Sequence, residues 1–256
     1  MPLDIRLVPM FADNYGFLIH DPDSGGTAAV DPGEPAPIVA ALAGLGWGLD
    51  VILNTHHHQD HVGGNLALKE RYGAMIVGPM ADHGRIPGLD RGVAAGETVS
   101  IGRHEARVLE VHGHTRAHIA YWFAEDRAVF CGDTLFALGC GRLFEGTAAD
   151  MWQSLRTLRD LPGDTRVYCA HEYTQSNCRF ALTVDGESPA LKARAEAIAA
   201  ARARGEPTVP STIALERETN PFLRADVPAF QAAAGLAGQA PVDVFAEIRR
   251  RKDVFR

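Results

Sequence analysis

Four side chains able to bind metal, His56, His58, Asp60 and His61, fall within six positions in Asn54-Thr-His-His-His-Gln-Asp-His-Val-Gly-Gly64. Imidazole suits zinc and iron, and a carboxylate among imidazoles leaves a place for a water ligand. Residues two apart in an extended turn point the same way, so His56 and His58 can face one ion together. Asp60 and His61 follow too closely to complete that small shell and suit a second ion beside the first. The alternative, a histidine-rich surface loop, fits poorly with the apolar run before the cluster and the glycines after it.

These ligands need a rigid support, and the flanking sequence provides one. Leu49 to Leu53 reads as a buried strand, and Gly63-Gly64 opens a helix over Asn65 to Tyr72. The cluster therefore sits on a strand-to-helix turn, at the carboxyl end of a strand, where α/β folds place their chemistry. Three later apolar segments, Ala106 to Val111, Ala128 to Phe130 and Arg166 to Ala170, read as further strands.

Earlier in the chain, Ile5 to Met10, Tyr15 to His20 and Thr27 to Val30 read as an antiparallel start. Asp31-Pro-Gly33 ends the third strand, and Asp31 reads as a turn or cap residue. Ile38 to Leu45 reads as a short helix and Met75 to Val77 as a strand. A hairpin around Gly102 joins Glu97 to Ile101 with Ala106 to Val111. His83 reads as an exposed loop histidine, and His118, before the strand Ile119 to Phe123, as a core histidine or one that orients a ligand. Thr147-Ala-Ala-Asp150 has the pattern of a capping box for a helix through Leu158. Strand signals vanish after His171: Arg179 to Arg204 is helical in period, and Val242 to Arg251 forms a last amphipathic helix. A domain boundary is placed near Tyr173.

Composition narrows the function. No apolar run among the 256 residues approaches the ~18 of a membrane-spanning helix. The first residues lack the pattern of a signal peptide, which predicts a cytoplasmic protein. Four cysteines without Cys-x-x-Cys spacing predict free thiols. Cys131 and Cys169 read as core fillers, and Cys140, near the site in sequence, is kept as an alternative thiolate ligand. A net charge of −7 argues against a nucleic-acid surface. An anionic substrate would need a local basic patch, and the last residues supply one.

Thr55 to His61 matches the Thr-His-x-His-x-Asp-His pattern of the metallo-β-lactamase superfamily without a gap. The resemblance implies an α+β chain: an αββα sandwich followed by a smaller all-helical C-terminal domain. Over essentially its whole length the chain looks like the glyoxalase II, or hydroxyacylglutathione hydrolase, family. Carrying residues are Gly132-Asp-Thr-Leu-Phe136, Gly139-Cys-Gly-Arg-Leu-Phe-Glu-Gly146, His171-Glu-Tyr-Thr174, Asn220-Pro-Phe-Leu-Arg224 and Arg249-Arg-Arg-Lys-Asp253.

That family resemblance implies a catalytic domain over 1–173 and a helical substrate-binding domain over 174–256. It implies two metal ions, with zinc expected and iron or manganese as alternatives. His56, His58 and His114 would hold one, Asp60, His61 and His171 the other, and Asp133 would bridge. Asp60 and Asp133 would serve a metal-bound hydroxide that hydrolyses S-D-lactoylglutathione to glutathione and D-lactate, the second step of methylglyoxal detoxification. Arg142, Phe144, Tyr173, Arg249 and Lys252 would hold the substrate; a dianionic tripeptide needs cations, and Arg can fork onto a carboxylate. Phe144 stands where an aromatic hydroxyl is common in the family, Arg142 where Lys is common, and His112 where Pro is common. The expected partner is this small molecule, met by a monomer, with no nucleic acid or membrane. Rival readings are a persulfide dioxygenase with one iron, against which the basic helical tail argues, an RNA-processing nuclease, and a protein holding inert metal.

Overall fold

The computed structural model describes residues 1–255. They form two compact units, Met1–Glu110 with Ala117–Gly132, and Val111–Arg116 with the chain from Asp133 onward. The change of composition near residue 173 falls inside the second unit.

The first unit opens with the expected antiparallel strands β1 (Asp4–Met10), β2 (Asn14–His20) and β3 (Thr27–Val30). After helix α1 (Pro35–Leu45) the pairing turns parallel. β4 (Val51–Leu53) lies beside β3 and is followed by α2 (Gln59–Val62) and α3 (Asn65–Tyr72). β5 (Met75–Pro79) pairs with β4, and β6 (Arg91–Val93) with β5. Parallel strands covered on both faces read as apolar runs rather than alternations, which is why Val51-Ile-Leu53 stood out. Ile38 and Leu42 of α1 and Leu68 of α3 are fully buried in one cluster with Ile52 and Ile76. β6 was not foreseen, because three residues around a glycine carry no periodic signal.

Four antiparallel strands complete this unit: β7 (Thr98–Ile101), β8 (His104–Glu110), β9 (Ile119–Phe123) and β10 (Ala128–Gly132). β7 and β8 make the hairpin expected at Gly102. Along β8, Ala106 and Val108 are fully buried while Glu105 and Arg107 face solvent, the alternation of a strand with one covered face. Tyr121 of β9 is buried and donates its hydroxyl to the Asn54 carbonyl at 2.9 Å, at the end of β4. That bond fixes where the histidine-rich loop begins.

In the second unit, β11 (Leu135–Phe136) and β12 (Gly139–Cys140) form a minimal hairpin. Helix α4 (Ala148–Arg159) starts with the expected capping box: Thr147 Oγ1 accepts from Asp150 N at 3.2 Å, and Asp150 Oδ2 accepts from Thr147 N at 2.8 Å. β13 (Arg166–Cys169) leads to α5 (Thr174–Asp185) and α6 (Pro189–Ala203), with β14 (Ser211–Thr212) returning to pair with β13. The helical stretch expected from Arg179 to Arg204 is thus two helices. Ser188 caps the second and Pro189 opens it, a start signal inside what read as one periodic run. α7 (Ile213–Thr219), α8 (Pro228–Ala233) and α9 (Pro241–Val254) follow. Phe222, between α7 and α8, packs its ring 6.1 Å from Phe180 of α5 and 6.0 Å from Phe245 of α9, joining these helices in one aromatic core.

Candidate metal centre

β4 leads into a bend at Thr55 and His56, His58 is extended, and α2, a single helical turn, delivers Asp60 and His61. Gly64 lets this loop lie on the Asp31-Pro32-Gly33 turn: its N–H donates to Pro32 O at 2.8 Å, and a Cβ there would stand 2.4 Å from the same oxygen. His56 is fully buried, its Nε2 3.0 Å from His58 Nδ1 and its Nδ1 3.0 Å from Thr55 Oγ1. His61 places Nε2 3.6 Å from Asp60 Oδ2, and Asn14 donates to that oxygen at 2.9 Å.

Asp31 orients this set. It is buried, with φ at 46°, and its carboxylate accepts from Thr55 N at 2.8 Å and Thr55 Oγ1 at 2.7 Å. His61 Nδ1 lies 3.1 Å from Asp31 Oδ2. A carboxylate only accepts, so Nδ1 carries the proton and Nε2 is left with a lone pair for a metal. His118, fully buried, stacks on His56 with centroids 4.5 Å apart. Gly132, with φ at 47°, leaves room for both: a Cβ would lie 2.3 Å from Thr55 Oγ1 and 2.9 Å from the His118 ring.

The second unit assembles the other donors. His114 Nδ1 donates to the Arg142 carbonyl at 2.9 Å, which leaves its Nε2 lone pair facing Asp133. His114 Nε2 is 3.4 Å from Asp133 Oδ2, and His171 Nε2 is 3.4 Å from Asp133 Oδ1. These separations are long for charge-assisted hydrogen bonds. They match the spacing of about 3.3 Å between two ligands of one tetrahedral zinc-like ion. Each carboxylate oxygen faces a different imidazole, as a bridge requires, so the donor chemistry fits metal ions.

Among the residues expected to hold a substrate, Tyr173 stacks on His171 at 4.6 Å with planes 9° apart. Phe144 tilts toward His114 at 5.1 Å and is 62% exposed. The side chain of Arg142 is exposed. Lys252 reaches Ser176 Oγ at 3.3 Å and lies over the rings of Phe180 and Phe255. Its pKa is lowered to about 8, first by burial, then by the charges of Arg249, Arg179 and Arg142. Those mutual repulsions mark a cluster of cations. Arg249 is different: it is buried, donates to Cys140 O at 3.0 Å, pairs with Asp253 at 2.8 Å and lies over Phe222.

Cys140 sits beneath that guanidinium, its Sγ 3.7 Å from Arg249 Nη1, and burial pushes its thiol up to about 11. The loop it belongs to is held by a network the sequence did not announce. Glu216, fully buried, accepts from Arg194, from Ser211, and from Leu138 N and Asn220 Nδ2, the last two at 2.9 Å. Asn220 in turn donates to Phe136 O at 3.1 Å and Gly139 O at 3.0 Å. Sequence reasoning also missed the roles of Asp31 and of the Arg142 backbone. An Asp-Pro-Gly turn near a metal loop was the only available sign of the first, and nothing in the sequence marked the second.

A family model of the metallo-β-lactamase superfamily matches residues 14–171, and one of the hydroxyacylglutathione hydrolase C-terminus matches 172–255. The hydroxyacylglutathione hydrolase of Methylococcus capsulatus is 55% identical over 254 residues, covering 99% of each chain. Among solved structures, ETHE1 from Myxococcus xanthus aligns with a TM-score of 0.71 at 25% identity, over 99% of this chain and 92% of its own. TTHA1623, in a di-iron-bound form, aligns with a TM-score of 0.63 at 25% identity, over 87% of this chain and all of its own. The donors of both units, the metallo-β-lactamase fold and a relative more than half identical along its length lead to one assignment: the chain belongs to the hydroxyacylglutathione hydrolase family.

Proposed function

We propose that this protein hydrolyses the thioester of S-(2-hydroxyacyl)glutathione, S-D-lactoylglutathione included, to glutathione and a 2-hydroxy acid. The observation that carries the reading is Asp133, whose two oxygens each face a different histidine Nε2 at 3.4 Å. In this reading His56, His58 and His114 would hold one metal and Asp60, His61 and His171 a second, with Asp133 as a ligand shared by the pair. Zinc is the metal proposed, with iron the alternative that the di-iron relative TTHA1623 suggests. When bound, such a pair of ions lowers the pKa of water and stabilises negative charge on a carbonyl oxygen.

The chain's own residues do the rest. Asp31 and the Arg142 carbonyl fix the protons of His61 and His114 on Nδ1, so the ligands are set before substrate arrives. Asp60, the most exposed of the carboxylates here and held by Asn14, receives the proton of the attacking water. Phe144 and Tyr173 flank the histidines and confine the acyl group. Lys252 and Arg142 contact the glutathione carboxylates, and Arg249 adds its charge from beneath while holding the Cys140 loop. We assign catalysis to 1–173 and substrate anchoring to 174–256. The protein is proposed to act as a cytoplasmic monomer on this small molecule. Four buried cysteines without a disulfide support a reducing compartment, and among the described residues no helix is long and apolar enough to cross a membrane.

The test is substrate choice. Purified protein should release thiol from S-D-lactoylglutathione with saturation kinetics and consume no oxygen with glutathione persulfide. The reverse pattern would move the chain to the dioxygenase reading.

A further inference from the structure

Histidines stand in a row at 56, 57 and 58, and residue type alone does not say which of them face a metal. His57 is occupied by groups from elsewhere in the first unit. Its Nδ1 lies 3.0 Å from Asp82 Oδ2, so Nδ1 carries the proton. Its Nε2 lone pair then accepts from Arg85 Nη1 at 3.2 Å. Arg85 is anchored to the same carboxylate, through Nε at 2.8 Å and Nη2 at 2.5 Å from Asp82 Oδ1. Asp82 closes the 3₁₀ turn Met80–Asp82 after β5, and its side chain is wholly buried. Both nitrogens of His57 are therefore engaged, and its ring stands at 85° to that of His56 and 61° to that of His58.

The geometry points to Asp82 and Arg85 as positioning residues of the metal centre. By holding His57 they decide which two imidazoles of the His56-His57-His58 run converge on a metal. The inference rests on the metal reading of this loop. An imidazole released at position 57 is a donor as good as its neighbours, tethered within one residue of each. It would draw metal into shells that lack the intended partner. A carboxylate–guanidinium pair that engages both nitrogens of one ring removes that competitor while leaving the adjacent rings to the metal.

The experiment compares metal-loaded full-length protein with Arg85→Ala, His57→Gln and the double variant. Metal retention against a chelator and the visible spectrum of the cobalt(II) form are the readouts, and melting temperature reports the fold separately. His57→Gln is expected to keep the metal content and spectrum of the parent. Arg85→Ala should release metal roughly 10–100-fold more readily, the scale of losing an outer partner of a metal site. The double variant should return to the His57→Gln level, because the competing ring is gone. A merely structural role for Arg85 would leave the double variant as leaky as Arg85→Ala, and that result overturns the proposal. So does an Arg85→Ala variant that retains metal normally, or a His57→Gln variant that loses a metal. A parent protein that holds no metal would overturn this proposal together with the reading beneath it.

Discussion

Asp31 holds His61 by its Nδ1 at 3.1 Å, and it does so from a backbone conformation, φ at 46°, that few residues with a side chain adopt. The same carboxylate takes both donors of Thr55, the residue before His56. One buried side chain therefore sets the start of the metal loop and the tautomer of its last histidine. A turn that stores an unusual φ and a buried charge has to be held by its surroundings, and here they are Thr55 and His61.

Replacing Asp31 by Asn should keep the shape but lose the acceptor that holds the His61 proton. Metal affinity is expected to fall roughly 10–100-fold, with thioester turnover falling as the metal is lost. Chelator competition on Asp31→Asn would show this; unchanged affinity would remove Asp31 from the metal centre.

Glu216 and Arg194 are a buried ion pair, with side chains 0% and 6% exposed, that braces the loop through Leu138 N and Asn220. Removing one partner strands the other charge. Glu216→Ala should lower unfolding free energy by about 3–5 kcal/mol. Denaturant unfolding would measure it, and Glu216→Gln, which keeps the shape, should lose less.

Lys252 gives a pH signature. A carboxylate of the substrate is attracted only while the amine is protonated, so affinity should hold below about pH 8 and weaken above it. KM should therefore rise through about 8. Lys252→Arg, which stays charged, should flatten that rise. Stability runs the other way. The folded pKa lies below the ordinary 10.5, so between about 8 and 10.5 the unfolded chain holds the extra proton, and the destabilising share of this group is relieved as pH rises.

Burial pushes Cys140 up to about 11 and Cys169 up to about 12, so neither is a thiolate at neutral pH. Thiol reagents should modify these two slowly in the native protein and quickly after unfolding, as mass spectrometry of the labelled peptides would show. Rapid labelling of Cys140 would mean that its loop opens.

Much of this was written in the chain. The Thr55–His61 run and the strand before it follow from apolar runs and residue type, while His114, Asp133 and His171 stand out through the family pattern, each behind an apolar run. Each belongs to a segment whose period is visible locally. What stayed hidden depends on distant partners: a carbonyl such as that of Arg142 has no sequence signature, and Asp31 looks like any turn residue until Thr55 and His61 come to it. Arg249 shows the same limit from the other side. A basic tail reads as exposed charge, yet this guanidinium is buried on Phe222 and Cys140.

The most direct measurement is hydrolysis of S-D-lactoylglutathione by one preparation assayed as isolated, after metal removal, and after metal is restored in steps. The account predicts loss of turnover on removal and its return with about two metal ions per chain, zinc or iron. Full activity in the metal-free protein, or a protein that binds two metals and leaves the thioester intact, would contradict it.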